Sequence, residues 1–192
     1  MSDVFDADWW ERHYQGHEPG HHAPSQHLVA ELADEEPGTA LDAGCGTGAD
    51  AIWLASRGWR VTAVDVSPTA VESAKHRAGD LDIEWRVADL TTWEPPRQYD
   101  LVVSQYVHPG IPFDRFVARL AGAVKQGGLL FVAGHDHADE HSAEHAPADA
   151  SVGATAITGV LDESWDIEVA ETRSRDVRGR TMHDVIVRAR RR

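Results

Sequence analysis

Three glycines at alternate positions, Gly44, Gly46 and Gly48, follow a short apolar segment and are the strongest chemical signal in the sequence. Glycine lets the backbone turn tightly and approach a ligand closely, and a helix N-terminus beside the loop offers free N–H groups. Asp42 lies just before the first glycine, and the spacing is G-x-G-x-G rather than the G-x-G-x-x-G of dinucleotide sites. The loop therefore predicts a nucleoside-type ligand and argues against a nicotinamide oxidoreductase.

Two further carboxylates stand where such a ligand needs them. Asp65 follows Gly44 by about 20 residues, a position from which a carboxylate accepts hydrogen bonds from ribose hydroxyls. Asp89, followed by Leu90, comes just after the next strand pattern. A carboxylate there can accept from an adenine amino group while a backbone N–H pairs with a ring nitrogen. The three sites together predict a pocket for an adenosine-like group.

The segments around these residues alternate between strand and helix patterns. Alternation of this kind implies parallel βαβ units, a sheet covered on both faces, and ligands at the carboxyl ends of the strands. Ser67, with Pro68 after it, is a good start signal for one of the helices. The predicted strands are 39–43, 60–65, 83–88, 99–104 and 129–133, and the predicted helices are 26–33, 48–56, 68–78 and 114–124.

The last third of the chain follows a different pattern. It predicts a helix over 155–162 and two strands, 165–172 and 183–190, joined through residues 178–180. Strands so close in sequence pair antiparallel, because a parallel crossover needs about a dozen residues or more. The predicted fold class is α/β, a Rossmann-like, doubly wound, mostly parallel seven-stranded sheet with an antiparallel C-terminal hairpin. We expect an N-terminal arm or lid over 1–38 and one domain over 39–192.

At this point the sequence resembles the class I S-adenosylmethionine-dependent methyltransferases. The run 40–48 looks like their first motif, 59–67 like their second-strand motif and 99–105 like their fourth strand. The late hairpin matches the usual end of their sheet. An arm containing Trp ahead of the core is similar to the tellurite-resistance and thiopurine-type group, whose acceptors are small molecules.

The resemblance implies S-adenosylmethionine as cofactor and assigns positions to it. The glycine loop would surround the methionine part, with Asp42 beneath it and Gln105 beside it. Asp65 would hold the ribose, and Val66 would lie against the adenine. The implied cofactor-binding residues are Asp42, Gly44, Gly46, Gly48, Asp65, Val66, Asp89, Leu90 and Gln105.

Methyl transfer needs a base only when the acceptor holds its proton near neutral pH, and imidazole suits that task. His108, just after the fourth strand, is the best candidate base, and His135, which follows the fifth strand, is a candidate for lining the acceptor pocket, so both are candidate catalytic residues. Each is equally open to a structural role as a loop histidine. Tyr106 is a candidate for packing on cofactor or acceptor. Trp9, Trp10 and Tyr14 predict an aromatic arm that folds over the strand ends, or simply anchors there.

Composition limits the partners. Asp and Glu outnumber Lys and Arg by 32 to 18, for a formal charge of −14, so a nucleic-acid substrate is disfavoured. One cysteine and the lack of a membrane-length apolar run favour a cytoplasmic protein without a membrane partner. The expected partner is a small-molecule methyl acceptor.

The leading hypothesis is an S-adenosylmethionine-dependent methyltransferase acting on a thiol or chalcogen, O or N nucleophile. The alternative is a non-catalytic cofactor- or metal-binding protein that uses the His-rich loop 135–145. His137, His141 and His145 are spaced by four there, which would align them on a helix, although a solvated acidic loop is the simpler interpretation. No residue is assigned as a metal ligand.

Overall fold

The computed structural model describes residues 6–15, 23–136, 153–177 and 180–192. In these ranges, helices precede the strands of one sheet and separate them along the chain. The helices are α1 (Ala7–Gln15), α2 (Gln26–Leu32), α3 (Ala49–Ser56), α4 (Pro68–Ala78), α5 (Phe113–Gly122) and α6 (Ala154–Thr158). The strands are β1 (Thr39–Ala43), β2 (Arg60–Asp65), β3 (Ile83–Val87), β4 (Tyr99–Gln105), β5 (Val124–His135), β6 (Trp165–Val177) and β7 (Arg180–Arg191).

The sheet has the order β3-β2-β1-β4-β5-β7-β6, which confirms the predicted fold class. The first five strands in this order are parallel, and β7 pairs antiparallel with both β5 and β6. The order reverses between β1 and β4, and a doubly wound sheet opens a ligand crevice at such a point. The glycine loop leaves β1 at this crevice.

Strand and helix patterns in the first half were predicted almost to the residue. Ser67 caps α4 as expected, since its hydroxyl accepts a hydrogen bond from the Ala70 N–H at 3.1 Å and Pro68 occupies the first turn. Side chains alternate between the two faces of β4, so Leu101 and Val103 join one apolar layer and Val102 joins the other. Helices cover both layers, which is why β1 and β4 are buried on both sides.

The prediction was wrong at the start of β5. Residues 125–128 were expected to end a helix over 114–124, but α5 ends at Gly122 and β5 already begins at Val124. The reason is a bulge: Tyr99 pairs with Val124 and Leu101 pairs only with Leu129. Gly127, at φ +77°, lies in the bulge that accommodates the extra residues of β5. Glycines that in other sequences end a helix therefore lie inside a strand in this protein.

Two bounds in the last third were also wrong. The helix predicted over 155–162 runs only from Ala154 to Thr158; Gly159 is its C-cap, and glycine is a poor helix former. The hairpin strands extend well past the predicted 165–172 and 183–190. The charged residues between the predicted strands resemble a turn in sequence, but they pair with each other across β6 and β7. One consequence matters for the site: β7 places Asp184 directly opposite His135 of β5.

None of the helices in the described ranges is long and apolar enough to cross a membrane. Both α1 and α2 precede the sheet, but the division of the chain after residue 38 stays a prediction.

Candidate active site

The loop after β1 is shaped by left-handed backbone. Gly44, Gly46 and Gly48 have φ values of +87°, +49° and +82°. Side chains with a Cβ rarely adopt such values, so the glycines are required by the turn. The N–H groups of Gly44 and Cys45 donate to the Val64 carbonyl at 2.8 and 3.0 Å, which fixes the loop against the end of β2.

Each of these glycines also lies against a different neighbour. A Cβ on Gly44 would collide with Val107, and one on Gly46 would stand 2.7 Å from the Tyr14 hydroxyl. A Cβ on Gly48 would stand 2.7 Å from the Trp85 ring and 2.8 Å from the Ala74 methyl. Gly48 therefore serves the packing of α3 against α4 and β3, whereas Gly46 marks where the arm reaches the loop.

Asp65 ends β2 with its carboxylate turned toward the loop. One oxygen accepts from the Gly46 N–H at 2.8 Å and the other from the Ser67 N–H at 2.9 Å. The residue is only 7% exposed, and burial raises the pKa of its carboxyl despite these donors. Asp65 thus joins the glycine loop to the N-terminus of α4.

A second group of buried polar atoms lies under the loop. Asp50 accepts from Gln105 Nε2 at 2.6 Å and from the Ser25 N–H at 2.8 Å. Among the described residues, neither Oδ2 of Asp42 nor Oε1 of Gln105 has a hydrogen-bond partner, although both atoms are buried. Buried acceptors of this kind are rarely left without a donor. The arrangement is therefore suited to a ligand that donates hydrogen bonds.

Carboxylates accumulate in this group. Burial raises the pKa of Asp50 to about 6. Burial, and then the charges of Asp50 and Asp65, raise the pKa of Asp42 well above its ordinary value. A cation placed here would restore the charged forms, because an opposite charge favours ionisation. The electrostatics favour a positively charged ligand.

The remaining predicted cofactor residues lie farther along the same edge. The Ala88 N–H donates to the Asp65 carbonyl at 2.9 Å, which brings the start of the segment after β3 beside Val66. Asp89 is exposed and accepts from the Thr91 N–H and hydroxyl at 2.8 and 2.7 Å, as a turn cap does. Leu90 packs against the apolar layer under α5 and lines a separate cavity of about 410 Å³.

Helix α1 lies over this edge of the sheet. Glu11 accepts from both hydroxyls at the start of α4, Ser67 and Thr69, at 2.5 Å each. These bonds lower the pKa of Glu11 to about 2. Trp10 stacks on His108 with ring centroids 6.1 Å apart and planes 3° apart, and Trp9 stacks on His13 at 5.2 Å. The aromatic arm is thus bound to the α4 N-terminus, the glycine loop and the segment after β4.

His135 and Tyr106 belong to a further cluster that the sequence did not predict. Their rings lie 4.8 Å apart at the ends of β5 and β4. Both contact Asp184, which is completely buried: the Tyr106 hydroxyl donates to Oδ2 at 3.0 Å, and His135 Nδ1 lies 3.3 Å from Oδ1. His27 Nε2 is 3.1 Å from Oδ2, and Arg175 completes the set.

Sequence reasoning missed Asp184, Arg175 and His27 for a physical reason. They come from β7, β6 and α2 and meet only when the hairpin has paired. A weak signal existed in the run 184–187, where one acid precedes three apolar residues of a central strand. Acids seldom occupy such buried positions without partners.

The alternative function depends on the His-rich loop 135–145. His137, His141 and His145 lie outside the described residues. Within the described ranges, no three His, Cys, Asp or Glu side chains are grouped so as to hold a metal ion.

Known proteins resemble the chain in this same region. Residues 40–128 match a family model described as a methyltransferase domain. A trans-aconitate 2-methyltransferase of Methylobacterium radiotolerans is 32% identical over 165 residues, covering 81% of this chain and 63% of that protein. The chain therefore spans less than two thirds of this relative's length.

Solved structures share the fold. The N-methyltransferase NodS of Bradyrhizobium japonicum, in complex with S-adenosylhomocysteine, superposes with a TM-score of 0.76 at 20% identity, over 96% of this chain and 97% of that one. TehB of Haemophilus influenzae gives 0.72 at 16% identity, over 97% and 67%. The family-model match covers the segment that holds the glycine loop, and these two structures, at 20% and 16% identity, share their fold with the chain.

Proposed function

We propose that the protein transfers the methyl group of S-adenosylmethionine to a small acceptor at the carboxyl ends of β1, β4 and β5. The observation that carries the proposal is the pair of buried, unpartnered acceptors beside the glycine loop, Asp42 Oδ2 and Gln105 Oε1. The ligand that fits them donates hydrogen bonds and carries positive charge. The methionine ammonium of the cofactor has both properties, and its sulfonium adds a second positive charge.

The chain's own residues divide the cofactor among them. Asp42 and Gln105 would accept from the ammonium, with Gly44, Gly46 and Gly48 around the methionine part. Asp65 would hold the ribose, since an ionised carboxylate has room for donors besides the two backbone N–H groups. Val66, Asp89 and Leu90 would border the adenine. When bound, the cofactor would supply an activated methyl group for in-line displacement, in which the sulfur is the leaving group and keeps the electron pair of the broken bond.

The acceptor side would be formed by the residues after β4 and β5. We assign His135 as the first candidate base, because a carboxylate lies 3.3 Å from its Nδ1 and leaves Nε2 for the acceptor's proton. His108, stacked on Trp10, is the second candidate base. Tyr106, whose ring lies 4.8 Å from that of His135, would contact the acceptor through its ring.

The arm would act as a cover over the cofactor. Trp9, Trp10 and Tyr14 lie on α1, and Tyr14 reaches the loop at Gly46. Aromatic side chains over a sulfonium exclude water and attract its charge. Glu11 would hold this cover in place through Ser67 and Thr69.

The acceptor is proposed as a small thiol, chalcogen, O or N nucleophile. The name of the 32% identical relative points to an O-acceptor, a carboxylate of trans-aconitate, and the likeness to TehB keeps the tellurite-type subgroup as a hypothesis. A non-catalytic role for the His-rich loop 135–145 remains the alternative.

The test is turnover. Purified protein is mixed with S-adenosylmethionine and, in turn, trans-aconitate, thiophenol, tellurite and a primary amine, and S-adenosylhomocysteine is quantified. We expect acceptor-dependent product with at least one of them, lost when Asp42 is changed to Ala. Tight cofactor binding without turnover on any acceptor, together with stoichiometric metal in the untagged protein, would favour the alternative.

A further inference from the structure

The Asp184 carboxylate lies where four parts of the chain converge. Its Oδ2 is 3.1 Å from His27 Nε2 of α2, accepts from the Tyr106 hydroxyl after β4, and pairs with Arg175 Nε of β6. Its Oδ1 faces His135 of β5. The side chain is completely buried. A group so enclosed cannot touch an acceptor, but it can orient the groups that do.

The carboxylate is charged in spite of its burial. Burial by itself would raise the pKa of Asp184, but the His135, Arg175 and His27 donors outweigh it and hold that pKa well below its ordinary value. A buried carboxylate is stabilised only by such charge-assisted donors. The surrounding side chains are therefore held in fixed positions by it.

Tyr106, one of the side chains that contact Asp184, has a strained backbone conformation. Tyr106 has φ +55° and is the single non-glycine residue with positive φ in the described ranges. This conformation is unfavourable for a residue with a side chain and persists only where surrounding contacts determine it. The Tyr106 hydroxyl bond to Asp184 and the Arg175 guanidinium 5.3 Å from its ring supply those contacts. Strain of this kind is concentrated at functional sites.

The second held group is the His135 imidazole. Its side chain is 24% exposed, whereas that of Asp184 is not exposed at all. Neither His135 Nδ1 nor Asp184 Oδ1 has a hydrogen-bond partner among the described residues, although both atoms are buried and lie 3.3 Å apart. Because a buried carboxylate oxygen rarely lacks a donor, the proton of the neutral ring is favoured on the nearer nitrogen, Nδ1, and Nε2 keeps its lone pair.

We propose that Asp184 is a positioning residue for methyl transfer, which fixes the Tyr106 ring and holds His135 as the Nδ1–H tautomer so that Nε2 receives the acceptor's proton. The inference rests on the proposed function, since it assigns His135 to that reaction. In a merely structural role, by contrast, the Asp184 cluster would hold α2 against the hairpin without determining the tautomer of His135.

The first test needs no acceptor. Long-range ¹H–¹⁵N spectra of the folded protein report which ring nitrogen of each histidine carries the proton, and His135→Gln identifies its signals. We expect Nδ1–H in the wild type and a shift toward Nε2–H in Asp184→Asn. An Nε2–H tautomer in the wild type would overturn the proposal.

The second test separates turnover from cofactor binding. Asp184→Asn and Tyr106→Phe should each lower kcat by about 10–100-fold and leave the Kd for S-adenosylmethionine within about twofold. Asp184→Glu, which keeps the charge, should recover part of the rate. The matched control is Asp100→Asn at the opposite end of β4, where the carboxylate is held by Thr39 and Lys125. That variant should keep the wild-type rate.

The outcomes distinguish this inference from the proposed function. No turnover by the wild type on any acceptor contradicts the proposed function, while the tautomer still tests the orienting role of Asp184. Wild-type turnover with an unchanged rate in folded Asp184→Asn contradicts the inference alone. If Asp184→Asn does not fold, Tyr106→Phe and the wild-type spectrum decide.

Discussion

The two sides of the crevice are built in different ways. On the proposed cofactor side, the glycines of the loop after β1 have left-handed backbone conformations. Asp65, at the end of β2, joins this loop to the N-terminus of α4. On the acceptor side, Asp184 gathers side chains from α2, β5 and β6 and from the segment after β4. The first side is local in sequence and the second is not. Substitutions should therefore separate cofactor binding from turnover.

The largest effect is expected for His135→Ala. Removal of a general base lowers kcat by about 10²–10⁴-fold, and the Kd for S-adenosylmethionine should stay within about twofold because the loop is untouched. His108→Ala serves as the comparison, measured in the same steady-state and calorimetric assays. A full rate in His135→Ala with loss of rate in His108→Ala would transfer the role of base to His108.

Asp65→Ala should have the opposite signature. Loss of hydrogen bonds from a charged group costs about 1.5–3 kcal/mol, so the Kd for S-adenosylmethionine should rise by about 10–100-fold. Thermal unfolding of the variant without ligand should remain cooperative. The matched control is Asp89→Ala, an exposed carboxylate on the same edge, whose effect should be smaller. An unchanged Kd in Asp65→Ala would remove the ribose assignment.

Gly48→Ala tests whether the loop depends on the absence of a side chain. A methyl group would meet Trp85 and Ala74 below 3 Å, in addition to the left-handed strain. Gly127→Ala is the control, with φ +77° and nothing within 4 Å of the added atom. Urea unfolding should show Gly48→Ala to be about 1–3 kcal/mol less stable than Gly127→Ala. Equal stabilities would mean that only the backbone conformation matters there.

The smallest effect is a pH dependence of cofactor binding. Burial raises the pKa of Asp50 to about 6, so the free protein carries a proton there at lower pH. A cationic ligand favours the ionised form and releases that proton. Affinity for S-adenosylmethionine should therefore increase by at most about tenfold per pH unit up to about pH 6, and should level off above that pH. Asp50→Asn should flatten the curve measured by calorimetry.

The same contrast explains what sequence alone could predict. The signals for the alternate glycines, Asp65 and the capped start of α4 each lie within a short stretch of sequence. Local patterns were therefore enough to predict the fold class and to assign residues to the proposed cofactor side. The start of β5 was predicted wrongly at Gly127, because glycine is common both at helix ends and in β-bulges. Asp184 could not be connected with Tyr106, since their contact depends on hairpin register and not on spacing along the chain.

The most direct measurement is a structure determined with S-adenosylhomocysteine bound. We expect the amino group of the ligand beside Asp42 and Gln105, the ribose at Asp65, and the sulfur facing His135 and Tyr106. A ligand in the cavity lined by Trp93, Pro96 and Arg119, or a sulfur directed away from the Asp184 cluster, would contradict this placement.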